Sequence, residues 1–397
     1  MNGLAWVRTG VLPVACMVVA GLSLPAAAFE KVALVDSLDF AKFFDVETAA
    51  GTKGVADYCA SVGATALWWR SNGGVQWRYP SAIENSPRME GGFEKLRLPG
   101  DDCYGWLRLD RGECDLMRCA LDCIRATGLA NGIHMSYEDS HWSAAEIGGW
   151  NLEHPEFWCR RKDGAPWPGR TSIAFPEVFA RKLKLVDELL AYGPETLYID
   201  TWRTGGWSVR YEYVKPMTDA WRRIYACEPP SEASDPRWLQ LFAEHQHAFF
   251  RGVRKLIEKR GGKTRLAIAL AQLDLKDQET WCEQAVDWRM LAAEGTIDAV
   301  VVRSVAPDRR RVWESTRQIY EQTVRYRGKA DIYFPLNMYD YRPGIPSYVK
   351  WTGESRAGVA RKLLTLAKET GAKGVAMECV DYRNYPDDVC QVIKEFK

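Results

Sequence analysis

Short apolar or β-branched runs alternate with longer amphipathic stretches along most of the chain, and this alternation constrains the fold most. It is typical of a parallel β-sheet covered by helices. The pattern predicts eight strands, at residues 31–36, 64–70, 130–137, 196–202, 265–271, 297–303, 331–336 and 374–378. It also predicts helices at residues 54–62, 113–126, 177–191, 241–259, 281–293, 312–326, 356–368 and 387–395.

Eight strand–helix units in this order close into a barrel more readily than they form an open sheet. Glycines that could end a helix follow six of the predicted helices, at Gly128, Gly193, Gly261, Gly295, Gly328 and Gly371. A doubly wound sheet would need a phosphate-binding loop after its first strand, and the sequence has neither a GxGxxG motif nor a P-loop. We therefore predict a single (β/α)8 TIM barrel and expect no cofactor.

The first 28 residues are typical of a secretory signal peptide. Arg8 is followed by an apolar run from Val11 to Leu24 and then by small residues up to Ala28. This order predicts cleavage near Ala28, a barrel domain over residues 29–397, and a secreted or periplasmic protein without membrane association after cleavage. An uncleaved membrane anchor is the alternative, because the apolar run approaches the length of a membrane span.

Composition excludes two classes of function. The 53 basic and 52 acidic residues nearly cancel, which argues against a nucleic acid as partner. Of five histidines, only His134 lies on a predicted strand, whereas a metal-dependent barrel hydrolase needs clustered His and Asp ligands. We expect no metal site, and the sequence leaves the oligomeric state open.

Asp200 is the strongest candidate for a catalytic residue. It directly follows the apolar residues Leu197, Tyr198 and Ile199, and therefore lies at the carboxyl end of the fourth predicted strand, where barrel enzymes carry their chemistry. A fixed carboxylate there can attack an anomeric carbon and hold a glycosyl–enzyme intermediate. The alternative is a structural role, in which Asp200 caps the next helix or pairs with Arg203.

Hydrolysis with retention also needs an acid close to the nucleophile, and two glutamates are candidates. Glu378 ends an apolar strand, whose surroundings would raise the pKa of its carboxyl and keep it protonated. Glu138 lies in a wetter loop, but its strand is the neighbour of the strand that carries Asp200. The sequence leaves both candidates open and slightly favours Glu378, because its apolar strand would supply the raised pKa that an acid needs.

The sequence predicts a carbohydrate as the partner, because tryptophans cluster in the loops after strands two to four. Aromatic rings suit the C–H faces of sugars, although any one of them could instead belong to the core. We expect Trp142, Trp202 and Trp207 to line one pocket beside Asp200. The predicted substrate-binding residues, all at or just after strand ends, are Arg70, Trp77, His134, Tyr137, Trp142, Trp202, Arg203, Arg303, Asn337 and Tyr339.

Several of these segments resemble the α-L-fucosidase family of glycoside hydrolases and related bacterial barrel glycosidases. The resemblance covers the first half of the barrel, in GATALWW at 63–69 with Trp77, IHMSY at 133–137 with Trp142, and LYID at 197–200. HPEFW at 154–158 with RKDG at 161–164 is similar to a loop of the related barrel hydrolases. The resemblance implies a retaining exo-glycosidase with Asp200 as the nucleophile.

One loop departs from the fucosidase pattern. The paired His-His-Asp of the family's second-strand loop is replaced here by RSNGG at 70–74. The resemblance therefore implies the chemistry and not the specificity for fucose. Our prediction is a retaining glycoside hydrolase, and the alternative from another class is a catalytically inactive barrel that binds carbohydrate.

Overall fold

Eight parallel strands form one closed barrel in a computed structural model that describes residues 28–36, 40, 44, 48–73, 76–77, 79–83, 115–137, 149–201, 209–270, 285–336, 348–378 and 385–397. The strands are β1 (Glu30–Val35), β2 (Ala66–Arg70), β3 (Ala130–Ser136), β4 (Thr196–Asp200), β5 (Arg265–Leu270), β6 (Ala299–Val302), β7 (Asp331–Pro335) and β8 (Gly374–Glu378). Each lies within one or two residues of its predicted position. The predicted single (β/α)8 barrel is confirmed.

Every strand pairs in parallel with its sequence neighbours, and β8 closes the barrel against β1. Leu34 pairs with Glu378 at this closing seam, and Ser136 of β3 pairs with Asp200 of β4. Because all strands run the same way, their carboxyl ends meet at one mouth of the barrel. The side chains that end the strands are therefore brought together there.

Helices cover the outside of the barrel in the described ranges. They are α1 (Ala49–Ser61), α2 (Leu116–Ala126), α3 (Gly149–Glu153), α4 (Pro176–Leu190), α5 (Lys215–Tyr225), α6 (Pro236–Lys259), α7 (Trp288–Glu294), α8 (Val312–Arg325), α9 (Tyr348–Thr352), α10 (Arg356–Glu369) and α11 (Asp387–Glu395). The side chains of Thr48, Asp115 and Ser355 accept hydrogen bonds from the first turns of α1, α2 and α10. All six glycines predicted to end helices have a positive φ, as that role requires.

Three helices and two hairpins were not predicted. In α5 only Met217 and Trp221 are buried, so its apolar pattern is too sparse to indicate a helix. The helices α3 and α9 have five residues each. One short hairpin pairs Asn72–Gly73 with Gln76–Trp77, and a longer one pairs Trp158–Arg160 with Pro166–Thr171.

The barrel interior is filled by side chains that alternate along each strand with those facing the helices. Trp68, Tyr198 and Tyr333 meet in its middle, with ring centroids 5.4 and 5.8 Å from the indole of Trp68. Gly132 on β3 makes room for that indole, since a Cβ atom there would lie 2.3 Å from Trp68 Cδ1. This aromatic layer separates the two mouths of the barrel.

Charged side chains close the amino-end mouth. Tyr333 Oη donates to Glu30 Oε2 at 2.6 Å, and Arg265 donates both to Tyr333 Oη at 3.3 Å and to Asp331 Oδ2 at 2.5 Å. Lys373 Nζ lies 3.0 Å from Glu30 Oε1. We call these five residues the amino-end network, and its charged side chains remain between 19% and 40% exposed.

No helix in the described part of the chain is long and apolar enough to cross a membrane. The predicted leader, residues 1–27, lies outside the described residues, and its cleavage stays a prediction.

Candidate active site

Ionisable side chains form a second, separate network at the carboxyl-end mouth. Each lies two residues beyond a side chain of the barrel interior, and therefore on the same face of its strand. Arg70 comes two residues after Trp68, Asp200 two after Tyr198, and Arg303 two after Val301. The side chain of Glu378 follows Ala376 in the same way. We call this set the carboxyl-end network, and its members are Asp36, Arg70, His134, Asp200, Arg303 and Glu378.

Asp200 lies at the centre of this network and is fully buried. Its Oδ2 atom is 3.1 Å from Nε2 of His134 and 3.8 Å from Nη2 of Arg303. The backbone carbonyl of Asp200 accepts from the amide of Tyr137, which continues the pairing of β3 with β4 past the end of the strand. Both the strand and the imidazole therefore fix the orientation of the carboxylate.

His134 is neutral at pH 7. Burial lowers the pKa of its imidazole to about 4, and the opposing effect of the hydrogen bond to Asp200 is smaller. A carboxylate can only accept, so the neutral tautomer that fits this contact carries its proton on Nε2 and donates it to Asp200. Asp200 is thus held in place by a partner that does not cancel its charge.

Glu378 contacts the same guanidinium nitrogen as Asp200. Its Oε1 atom pairs with Nη2 of Arg303, so one nitrogen lies between the two carboxyl groups. That shared contact keeps the two carboxyl groups within roughly 9.5 Å of each other, the upper end of the separation found between catalytic carboxyl groups in glycosidases. One neighbour of the Glu378 carboxyl group is therefore a cation, which the sequence analysis did not predict.

Asp36 belongs to the network although the sequence analysis did not single it out. It directly follows β1 and forms an ion pair with Nη1 of Arg70, whose Nε donates to Ser136 Oγ at 3.0 Å. Asn72 bonds the backbone of Ser136 in both directions, at 2.8 and 3.1 Å. The sequence could have identified Asp36, because it directly follows the apolar residues of its strand, as Asp200 does.

The network combines charged and neutral groups. Three of its described members are carboxyl groups, two are guanidinium groups, and the imidazole of His134 is neutral. Carboxylates in such surroundings can stabilise positive charge that develops on a bound molecule, because low polarity strengthens the attraction.

The other predicted site residues divide into three groups. Arg70, His134 and Arg303 lie in the network. Tyr137 does not join it, because its ring packs against Phe249 of α6 with centroids 5.4 Å apart. For Trp77 only the backbone is described, and the remaining candidates lie outside the described residues: Glu138, Trp142, Trp202, Arg203, Trp207, Asn337 and Tyr339.

Metal binding was also assessed from the side chains. The described residues contain no cluster of three or more His, Cys, Asp or Glu side chains that could hold a metal ion.

The molecule is thus a (β/α)8 barrel with a buried carboxylate–guanidinium network at its carboxyl-end mouth. Neither a protein-family model nor a curated protein matches the sequence. Solved structures that share its fold include the glycoside hydrolase domain of PgaB (BpsB) from Bordetella bronchiseptica. That domain has 13% sequence identity and a TM-score of 0.60 over 93% of this chain and 100% of the domain.

Two β-galactosidases also share the fold. The enzyme from the psychrophilic Marinomonas ef1 has 11% identity and a TM-score of 0.57, over 92% of this chain and 58% of its own. The enzyme from the haloarchaeon Halorubrum lacusprofundi has 13% identity and a TM-score of 0.56, over 88% and 56%. This chain therefore spans a little over half the length of these two enzymes. None of the three structures is an α-L-fucosidase, and the resemblance to that family stays a prediction.

Proposed function

We propose that this protein is a retaining glycoside hydrolase in which Asp200 is the nucleophile. The observation that carries the proposal is that Asp200 is fully buried at the carboxyl-end mouth of the barrel, where Nε2 of His134 lies 3.1 Å from its carboxylate. Enzymes of this fold carry their chemistry at that mouth, and a fixed carboxylate there can attack an anomeric carbon. The similarity in fold to three glycoside hydrolases supports a sugar as the substrate.

In the proposed reaction, a carboxylate oxygen of Asp200 attacks the anomeric carbon of the bound sugar. The bond to the leaving oxygen breaks as an acidic side chain gives that oxygen its proton, and a covalent glycosyl–aspartate remains. Water, deprotonated by the same side chain, then displaces Asp200 from the anomeric carbon. The hydrogen bond from neutral His134 holds the nucleophile in position, and the neighbouring carboxylates of the network stabilise the positive charge that develops on the sugar.

We assign the role of the acid to Glu138. Glu378 already forms an ion pair with Arg303, whereas the acid must carry a proton that it can give to the leaving oxygen. Glu138 follows β3 by two residues, and β3 is the neighbour of the strand that carries Asp200. Glu378 instead keeps Arg303 in place and adds to the negative charge around the sugar.

The substrate is a carbohydrate, bound by Arg70 and Arg303 in the network and by the aromatic and polar residues of the loops named above. We further propose that the leader is cleaved near Ala28 and that the enzyme works in the periplasm or outside the cell. The alternative, an inactive barrel that binds carbohydrate, would be favoured if Asp200 had no carboxyl group nearby. Glu378 occupies that position.

The first experiment tests the nucleophile with a panel of aryl glycosides and the matched pair Asp200→Ala and Asp331→Ala. We expect Asp200→Ala to lose turnover by about 10⁴-fold or more and to recover part of it in azide, which replaces the missing nucleophile. Asp331 belongs to the amino-end network at the other mouth, and its variant should keep normal turnover. Near-normal turnover of Asp200→Ala, without any covalent adduct in the parent enzyme, would rule the mechanism out.

The second experiment separates the two glutamates by their dependence on the leaving group. Glu138→Gln should keep activity on aryl glycosides whose leaving groups need little protonation and lose it on those with poor leaving groups. Glu378→Gln should slow all of them to a similar extent. The opposite pattern would return the acid role to Glu378.

A further inference from the structure

A hairpin at the carboxyl-end mouth has features that the proposed reaction does not use. Its strands, Trp158–Arg160 and Pro166–Thr171, lie between β3 and α4 in the chain. It contacts residues 209–214, which lie between β4 and α5. Both segments follow the strands that carry His134 and Asp200, so they stand beside the proposed active site.

The hairpin is tied to the second segment by a buried glutamate. Glu212 accepts from the hydroxyl of Ser172 at 2.5 Å and from the thiol of Cys159 at 3.4 Å. The amide of Tyr213 donates to the carbonyl of Arg160 at 3.1 Å. These contacts hold the two segments in one arrangement, and a surface built from both needs little ordering when a ligand binds.

Two aromatic rings, one from each segment, meet on this surface. The rings of Trp167 and Tyr211 have centroids 3.9 Å apart at an angle of 71°, and both residues are partly exposed. The guanidinium of Arg170 lies 4.6 Å from the ring of Trp167, and that of Arg161 lies 5.3 Å from the ring of Tyr211. Arg161 also donates to Tyr211 Oη at 3.4 Å. The arginines therefore help to fix both rings.

The turn of the hairpin carries exposed positive charge. Arg161 and Lys162 are exposed, and neither forms a salt bridge with any residue in the described ranges. Asp163 is the acidic residue of the turn, and its Oδ1 atom accepts from the amide of Ala165, which shapes the turn. We call Arg161, Lys162, Trp167 and Tyr211 together the hairpin platform.

We propose that the hairpin platform binds an acidic polysaccharide whose sugar rings carry carboxylates. Partly exposed aromatic rings offer contact to the C–H faces of pyranose rings, and the neighbouring cations offer contact to uronate carboxylates. A nucleic acid fits less well, because the chain as a whole has a net charge of only +1. The inference rests on the proposed function in one respect: the bound polymer is the substrate that the barrel cleaves.

The experiment measures binding by affinity electrophoresis in gels that contain polygalacturonate, alginate or neutral dextran. The Asp200→Ala protein is used as the background throughout, so that no substrate is consumed. We expect it to be retarded by at least one of the two uronate polymers and not by dextran. Arg161→Gln with Lys162→Gln should weaken that binding about tenfold at low salt, and Trp167→Ala should weaken it as well.

The matched control is Lys255→Gln with Lys259→Gln, which removes the same charge from exposed positions of α6, the helix that leads to the amino end of β5. This control should bind like the background protein. The inference is overturned if neither uronate polymer binds, if dextran binds equally well, if single-stranded RNA binds as tightly, or if the Arg161/Lys162 variant keeps full affinity. If binding depends on the hairpin platform but the parent protein cleaves no glycoside, the proposed function is wrong. The proposed binding of an acidic polysaccharide by the platform is then still supported.

Discussion

The two mouths of the barrel carry charged networks of similar composition in different surroundings. At the amino end, the side chains of Arg265 and Asp331 are 33% and 40% exposed. At the carboxyl end, those of Arg303 and Asp200 are 2% and 0% exposed. The first network is therefore partly solvated, whereas the described side chains of the second are largely shielded from bulk water. The same types of residue thus have different surroundings at the two mouths.

Burying charged groups reduces the free energy of unfolding, so buried charged networks are usually kept because they serve a function. Surface ion pairs contribute about 0–1 kcal/mol each, whereas a buried charge without its partner costs several kcal/mol. Buried ionisable groups beside specific charged partners are often found at functional sites. The comparison between the two mouths can be tested by removing one partner from each.

The largest expected effect is that of Arg303→Met. Loss of this guanidinium leaves Asp200 and Glu378 facing each other inside the protein. We expect the free energy of unfolding at pH 7 to fall by about 3–5 kcal/mol in urea denaturation. Arg303→Lys keeps the charge and should lose less. A loss below about 1 kcal/mol for Arg303→Met would mean that the two carboxylates do not depend on it.

An intermediate effect is expected from the pH dependence of His134. Burial lowers the pKa of its imidazole to about 4 in the folded protein, from an ordinary value of 6.5. The unfolded chain therefore binds the proton more tightly, and the folded protein loses stability as the pH falls from about 6.5 to about 4. The loss amounts to at most about 3 kcal/mol, and it is absent above pH 6.5.

The matching variant is His134→Gln, whose amide can still donate to Asp200 but does not titrate. Urea denaturation at a series of pH values between 4 and 7 should give a shallower slope for this variant than for the parent protein. Equal slopes would show that another group causes the acid sensitivity.

The smallest effect is expected at the amino-end mouth, from Arg265→Met. Glu30 and Asp331 remain partly exposed when Arg265 is lost, and water can replace the missing hydrogen bonds. The free energy of unfolding should fall by about 1 kcal/mol or less, with turnover unchanged. A loss as large as that of Arg303→Met would erase the distinction between the two networks.

The barrel could be predicted from the sequence because each strand is apolar on both faces and each main helix shows a regular apolar stripe. The elements that were missed have weak patterns, as in α5, or are short, as in α3 and α9. The rule that barrel chemistry lies at the carboxyl ends of strands also led to five residues that the structure brings together. They are Arg70, His134, Asp200, Arg303 and Glu378.

The sequence alone could not predict which other side chains these residues contact. That Arg303 lies between two carboxyl groups depends on three strands, β4, β6 and β8, which are distant in the chain. The contact adds a cation to the apolar environment expected for Glu378, and the residues that precede it along the chain did not indicate that cation. Tyr137 illustrates the same limit, since one step along β3 turns its ring toward Phe249 and α6.

The seam between β1 and β8 also bears on how the molecule is made. Asp36 follows the first strand of the barrel and Glu378 ends the last, so the carboxyl-end network is incomplete until β8 has been synthesised. Until β8 docks, β1 and β7 each present an edge without a hydrogen-bonded neighbour, and such edges invite aggregation. A polypeptide that stopped short of β8 would therefore be a substrate for chaperones and proteases.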